Sequence, residues 1–258
     1  MKQLIIPVLL LMIVLGACKK NSDSAVPDTH GNFMFVNAAP GNLQFDILLD
    51  TINFASSVKY GDIVGYKSYR AQKYNLIIRK PGDPQTVYFT KQVFLRNNRY
   101  YSAYLSADSA LQNYIVLVTE DNLTSLGPGT AKFRVLNSSQ AFQPNRAPFG
   151  MDIRSNVNLK NPAVTDPNNP LSGDTFPRFF SSLYYPSLTD FIPLYKDSAY
   201  QMMVNPIDLR TNANPTVLKA FPFPAAGVRT QEGKVYTLIT TGYPLDPARF
   251  NTITVTHN

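Results

Sequence analysis

The sequence predicts an all-β chain in which one sandwich- or barrel-forming module is written twice. Three observations carry this. Tyr (15), Phe (16) and Pro (20) are plentiful in 258 residues, Trp is absent and Glu occurs only at Glu120 and Glu232, so helical Ala/Leu/Glu/Lys segments are missing. Short apolar runs alternate with clusters of turn residues. Finally, six segments recur in the same order in both halves.

The recurrences run from end to end. Phe33-Met34-Phe35-Val36-Asn37 answers Phe133-Arg134-Val135-Leu136-Asn137, and Phe45-Asp46-Ile47 answers Met151-Asp152-Ile153. Ser56-Ser57-Val58-Lys59-Tyr60 answers Ser181-Ser182-Leu183-Tyr184-Tyr185, and Tyr66-Lys67 answers Tyr195-Lys196. Tyr101-Ser102-Ala103 answers Tyr236-Thr237-Leu238, and Val118-Thr119 answers Val255-Thr256.

Taken in order, the chain opens on Lys2 and an apolar run from Leu4 to Ala17, too short for a spanning helix and read as a signal peptide over 1–17. Leu15-Gly16-Ala17-Cys18 resembles a bacterial lipobox, whose cysteine is acylated (palmitate among the acyl chains) and becomes the new N-terminus. Each buried CH₂ adds roughly 0.8 kcal/mol to such an anchor. Lys19 follows the cysteine, so by resemblance to Gram-negative lipoproteins the outer membrane is expected, on either its periplasmic or its cell-surface face. A polar tether over 18–30 comes next. Domain 1 is expected over 31–122, with strands around Phe33–Asn37, Leu76–Ile78, Thr86–Thr90, Gln92–Leu95, Tyr100–Leu105 and Tyr114–Thr119, and a strong turn at Lys80-Pro81-Gly82-Asp83-Pro84. A linker over 123–130 contains Gly127-Pro128-Gly129. Domain 2 is expected over 131–258. From Asp46 to Ser56 is 10 positions, but from Asp152 to Ser181 is 29, so domain 2 carries an insertion near 155–179.

At the level of whole motifs, Phe33-Met34-Phe35-Val36-Asn37-Ala38-Ala39-Pro40, Phe45-Asp46-Ile47-Leu48-Leu49-Asp50 and Tyr60-Gly61-Asp62 with Tyr66 resemble the bacterial domain-of-unknown-function family 4397. In the second copy Ser138-Ser139-Gln140 replaces Ala-Ala-Pro, and Asp50 has no evident counterpart. The resemblance implies two tandem immunoglobulin-like β-sandwich domains on an exported lipoprotein. It implies no activity; Asp46 and Asp50 are pattern residues in that family.

Composition and spacing argue against several chemistries. Cys18 is the only cysteine, so acylation leaves no thiol for a disulfide, a thiolate metal site or a nucleophile. The net charge of +7 is scattered, its longest runs being Lys19-Lys20 and Arg79-Lys80, which speaks against nucleic acid. The only histidines, His30 in the tether and His257 near the last residue, are expected to be solvated rather than to serve a triad or a metal. Asp46 and Asp50 share a strand face about 13 Å apart, too far for paired glycosidase carboxylates, and read as solvated or turn-capping groups. Asp166, Asn168, Asn169 and Asp174 lack the Asp-x-Asp/Asn-x-Asp/Asn-Gly calcium spacing. No enzyme, cofactor or metal is therefore expected.

Recognition remains. Aromatic residues crowd the insertion and its exit, and Phe176, Phe179 and Tyr184 are the candidate binding residues, with half-buried sheet packing as the plainer alternative. Tyr185 matches Tyr60 and is expected to be core. The resulting expectation is a cell-envelope lipoprotein carrying a non-catalytic binding module for an extracytoplasmic ligand, glycan among the candidates. The alternative is a structural or assembly protein contacting other envelope proteins through its β-sandwiches.

Overall fold

A computed structural model of the chain describes residues 29–107, 113–124, 127–139, 150–155, 178–196, 199–207, 221–242 and 250–258. The architecture is all-β, as the sequence predicts: two immunoglobulin-like sandwiches in tandem. The first half contributes β1 (His30–Asn37), β2 (Phe45–Leu49), β3 (Ile52–Val58), β4 (Ile63–Arg70), β5 (Lys73–Arg79), β6 (Val87–Phe94), β7 (Tyr100–Ala107) and β8 (Tyr114–Asp121). The second contributes β9 (Thr130–Ser139), β10 (Gly150–Ser155), β11 (Arg178–Leu183), β12 (Ser187–Leu188), β13 (Ile192–Tyr195), β14 (Ala199–Ile207), β15 (Phe221–Arg229), β16 (Val235–Gly242) and β17 (Phe250–Thr256).

Each half is a pair of sheets. In the first, β4-β1-β7-β8 faces β3-β2-β5-β6; in the second, β12-β9-β16-β17, with β13 also on β9, is matched with β11-β10-β14-β15. The shared signature is a parallel central pair, β1 with β7 and β9 with β16, among antiparallel neighbours. The duplication extends to single hydrogen bonds. The Asn37 amide donates to Val58 O and its Oδ1 accepts from Ala39 N; Asn137 does the same with Leu183 O and Ser139 N. Both asparagines are buried, so these bonds spare each one an unmet amide and tie the end of the first strand to the end of the third.

Strand register corrects two of the sequence matches. Lys67 and Ile192 stand opposite Phe33 and Phe133, so Tyr66 corresponds to Phe191 and not to Tyr195. Tyr101 faces Glu120 while Tyr236 faces Thr256, so Asp121 corresponds to His257 and the Val118/Val255 match slips by one residue. A one-residue slip changes the face a side chain occupies, which similarity of short apolar strings does not detect.

Alternation along β1 explains the larger arrangement. Phe33 and Phe35 point into the core of the first sandwich with Phe45, Ile47, Leu49, Phe54, Leu76 and Ile78. Met34 and Val36 point the other way, into a second core shared with Tyr104 of β7 and with Leu136, Ile239, Ile253 and Val255 of the other half. The two parallel-centred sheets are thus packed face to face, and β1, β7, β9 and β16 are covered on both sides. The linker does not separate two independent cores. The face that would be solvated in an isolated sandwich is apolar here and finds cover only in the other copy.

The connection between the second and third strands differs in length between the halves. Asp50 and Thr51 alone join β2 to β3, whereas residues 156–177 join β10 to β11. Asp50 has a positive φ of 53° and its carboxylate accepts from the Asn75 backbone and side-chain amides at 2.8 and 2.9 Å. Asp46 accepts from Ser57 N at 3.0 Å. Both are turn- and strand-fixing carboxylates. His30 is not in a tether but is the first residue of β1.

Candidate functional site

The seam between the two halves carries the densest polar chemistry among the described residues. Two hydroxyl contacts cross it reciprocally. Tyr60 OH bonds Thr241 Oγ1, and Ser106 Oγ donates to Tyr185 OH at 3.1 Å. Tyr60 corresponds to Tyr185 and Ser106 to Thr241, so each half gives the same contact that it receives, as in an isologous dimer.

At the opposite end of the seam lies a closed ring of five side chains, four from strands and one from just beyond the last strand. The Arg134 guanidinium (β9) donates through Nη2 to Asp121 Oδ1 (β8) and through Nε to Thr237 Oγ1 (β16) at 2.9 Å. Thr237 Oγ1 meets His257 Nε2, just beyond β17, at 2.7 Å, and His257 Nδ1 meets Tyr66 OH (β4) at 2.8 Å. Tyr66 OH donates to Asp121 Oδ2 at 2.7 Å and closes the ring. One proton arrangement satisfies every member. Because Tyr66 gives its proton to Asp121, its oxygen accepts from Nδ1–H of a neutral His257, whose Nε2 accepts from Thr237. Ser102 Oγ also donates to Asp121, and Arg134 donates to Tyr104 OH at 2.9 Å while lying 4.3 Å from the Phe191 ring centre.

Electrostatics follow the geometry. Burial pushes the His257 pKa down from 6.5 to about 4, with Arg134 acting the same way and Asp121 opposing. Burial and the Asp121 carboxylate raise the Tyr66 pKa and keep its hydroxyl protonated. Burial works against the Arg134 charge, but Tyr104 and Asp121 outweigh it and its pKa is raised. The expectation that His257 is solvated is therefore wrong: it is 6% exposed, because the chain carries it past the last strand into the seam. Sequence reasoning missed Arg134 as well. Its one signal is a cation at the position where the first copy has Met34, inside an otherwise apolar strand.

Asp121 and His257 also line an open cleft of about 560 Å³. Asn98, Arg99, Tyr100, Asn122, Leu123, Thr124 and Asn258 line it with them. Beneath the linker, Lys132 Nζ donates to Asn122 O at 2.9 Å, and burial lowers its pKa.

Cys18 and Phe176 lie outside the described residues, as do Asp166, Asn168, Asn169 and Asp174. Phe179 is the second residue of β11. Tyr184 is 40% exposed and follows the far end of that strand. The insertion joins β11 at Arg178, so a six-residue strand, about 20 Å long, separates its exit from Tyr184. Among the described residues no three His, Cys, Asp or Glu side chains group as metal ligands, and no helix is long and apolar enough to cross a membrane.

Residues 31–144 match the family described as "Domain of unknown function (DUF4397)", which bears out the resemblance carried by Phe33–Pro40 and its neighbouring motifs. No curated protein matches the chain. Among solved structures, the chain is similar to a candidate cell adhesion protein from Bacteroides eggerthii DSM 20697, at 10% identity and a TM-score of 0.28, covering 90% of this chain and 97% of that one. It is also similar to a candidate cell adhesion protein from Bacteroides fragilis NCTC 9343, at 13% identity and a TM-score of 0.20, covering 93% and 88%.

Proposed function

We propose that the protein is an outer-membrane lipoprotein, anchored through Cys18, that acts as a non-catalytic binding module for an extracytoplasmic ligand, with glycan the foremost class. The observation that carries the non-catalytic reading is the closed ring. Thr237, His257, Tyr66 and Asp121 are chained as in a nucleophile–base relay, but Thr237 is 0% exposed and both imidazole nitrogens are already bonded. A nucleophile must reach substrate, so the cluster serves packing instead. What remains for function is the exposed surface of the described sandwiches, the open cleft above all.

A second reading, an assembly protein that pairs its β-edges with other envelope proteins, is favoured by β6. That eight-residue edge strand leaves Val87 49% and Phe94 56% exposed.

Probing purified protein against glycan and envelope-protein arrays separates the two. Glycan binding that survives Phe94→Lys supports the first reading, and envelope-protein capture abolished by Phe94→Lys supports the second. Anchoring is tested by labelled fatty acid: Cys18→Ser should take up none, and continued labelling would refute the lipobox.

A further inference from the structure

We propose that the cleft over the Arg134–Asp121 ring is a saccharide-binding site. The inference rests on the binding-module reading and places its ligand at a site distinct from Tyr184.

The cleft is built by both halves, and its volume of about 560 Å³ falls within the roughly 300–1,000 Å³ of ligand pockets, which favour domain seams. Two of its lining residues have their polar atoms committed. Both Asp121 oxygens are engaged by Arg134, Ser102 and Tyr66, and both His257 nitrogens by Tyr66 and Thr237. The groups left to a ligand belong to other lining residues. The Asn98 carboxamide and the Tyr100 and Thr124 hydroxyls have no hydrogen-bond partner among the described residues, and Asn122 has a free amide N–H₂. The Tyr100 ring is 37% exposed and is fixed edge-on against Tyr66, with centroids 5.1 Å apart and planes at 81°.

An exposed, immobilised aromatic ring beside uncharged donors and acceptors matches a sugar, which offers a C–H face for the ring and hydroxyls for the amides. Other ligand classes fit less well. Leu123 and Tyr100 supply too little apolar wall for a fatty chain. A cation would need carboxylate oxygens, and those of Asp121 are committed. The Arg99 guanidinium already lies 3.5 Å from Glu120, which weakens the case for a strong anion. The cleft also stands where β1 begins: His30 O accepts from Asn98 N and Arg99 O from Asn32 N, at 2.8 and 2.7 Å. The chain reaches this end from the Cys18 side, so both a free glycan and the sugar headgroup of a membrane lipid are sources of the same chemistry.

The test is titration of the purified full-length protein with tetrasaccharides of glucose, mannose, galactose and N-acetylglucosamine, and with phosphatidylcholine vesicles with or without digalactosyl lipid. Binding to at least one tetrasaccharide assigns a free glycan; binding only to the galactolipid vesicles assigns a headgroup. In either case Tyr100→Ala should weaken binding about ten-fold or more. Asn98→Gly, which keeps the left-handed backbone at φ 55°, and Thr124→Ala should each weaken it several-fold, while Tyr184→Ala leaves it unchanged. Tyr100→Phe retains the packing on Tyr66 and should keep most of the affinity, which guards against a folding artefact. Saccharide binding that ignores all three cleft variants but disappears in Tyr184→Ala overturns the site and leaves the binding-module reading standing. Absence of binding to every probe overturns the site too; capture of an envelope protein in that case retains a binding role, and capture of nothing removes both.

Discussion

Arg134 and Asp121 form an ion pair across the seam, with side chains 3% and 0% exposed. Their counterparts in the duplicated module are Met34 and His257. The charge pair therefore has no counterpart in the reverse direction across the seam. It distinguishes the pairing of first half with second half from the pairing of either half with itself, where Asp121 would face a methionine or Arg134 a histidine. A buried carboxylate left without its cation is costly, so the pair acts on which copy meets which as much as on stability.

Removing one partner should show this. Arg134→Met is expected to cost about 3–5 kcal/mol in urea unfolding, because Asp121 stays buried. Arg134→Met combined with Asp121→Leu should recover more than half of that loss. Additive losses in the double variant would mean that the two charges are not coupled.

Acid should loosen the seam through His257. Its pKa is depressed from 6.5 to about 4, so above pH 6.5 both folded and unfolded chains carry it neutral and there is no penalty. Between pH 6.5 and 4 the unfolded chain binds a proton that the folded one refuses, and stability falls, by on the order of 3 kcal/mol in all. Below pH 4 the folded state is protonated as well. His257→Gln removes this dependence, so the stability gap between wild type and variant should narrow from pH 7.5 to pH 4.5. A gap independent of pH would contradict a neutral buried imidazole.

The two halves should unfold together. Separation would expose Met34, Val36, Tyr104, Leu136 and Ile239 and would part Asp121 from Arg134. One calorimetric transition is expected for the whole chain, and dye-binding apolar surface on residues 29–124 and 127–258 expressed apart. Two transitions in the whole chain, matching those of the separate halves, would show that the seam contributes little.

Neighbouring tyrosines should behave differently. Tyr184→Ala removes an exposed ring and should change stability by no more than about 0.5 kcal/mol. Tyr185→Ala removes the acceptor for Ser106 at the seam and should cost about 1–3 kcal/mol. Equal melting temperatures for the two variants would contradict this assignment of Tyr185.

The sequence by itself determined the strand class, the duplication and the turn role of Asp50, because each depends on local chemistry: alternation of apolar residues, turn formers and the order of matched segments. The unbroken apolar string Phe33-Met34-Phe35-Val36 even carried a sign of burial on both faces, since a strand solvated on one side would alternate with polar residues. Only the tertiary structure decided what covers the second face, that His257 is buried rather than solvated, and that Tyr66 corresponds to Phe191. It also decided that the exit of the insertion and Tyr184 stand at opposite ends of β11. The reason is physical. The ring of Arg134, Asp121, Tyr66, Thr237 and His257 draws one residue from each of five elements, and no spacing along the chain encodes which sheet face will meet which. That choice is made when two apolar faces exclude water and their few polar groups must find one another.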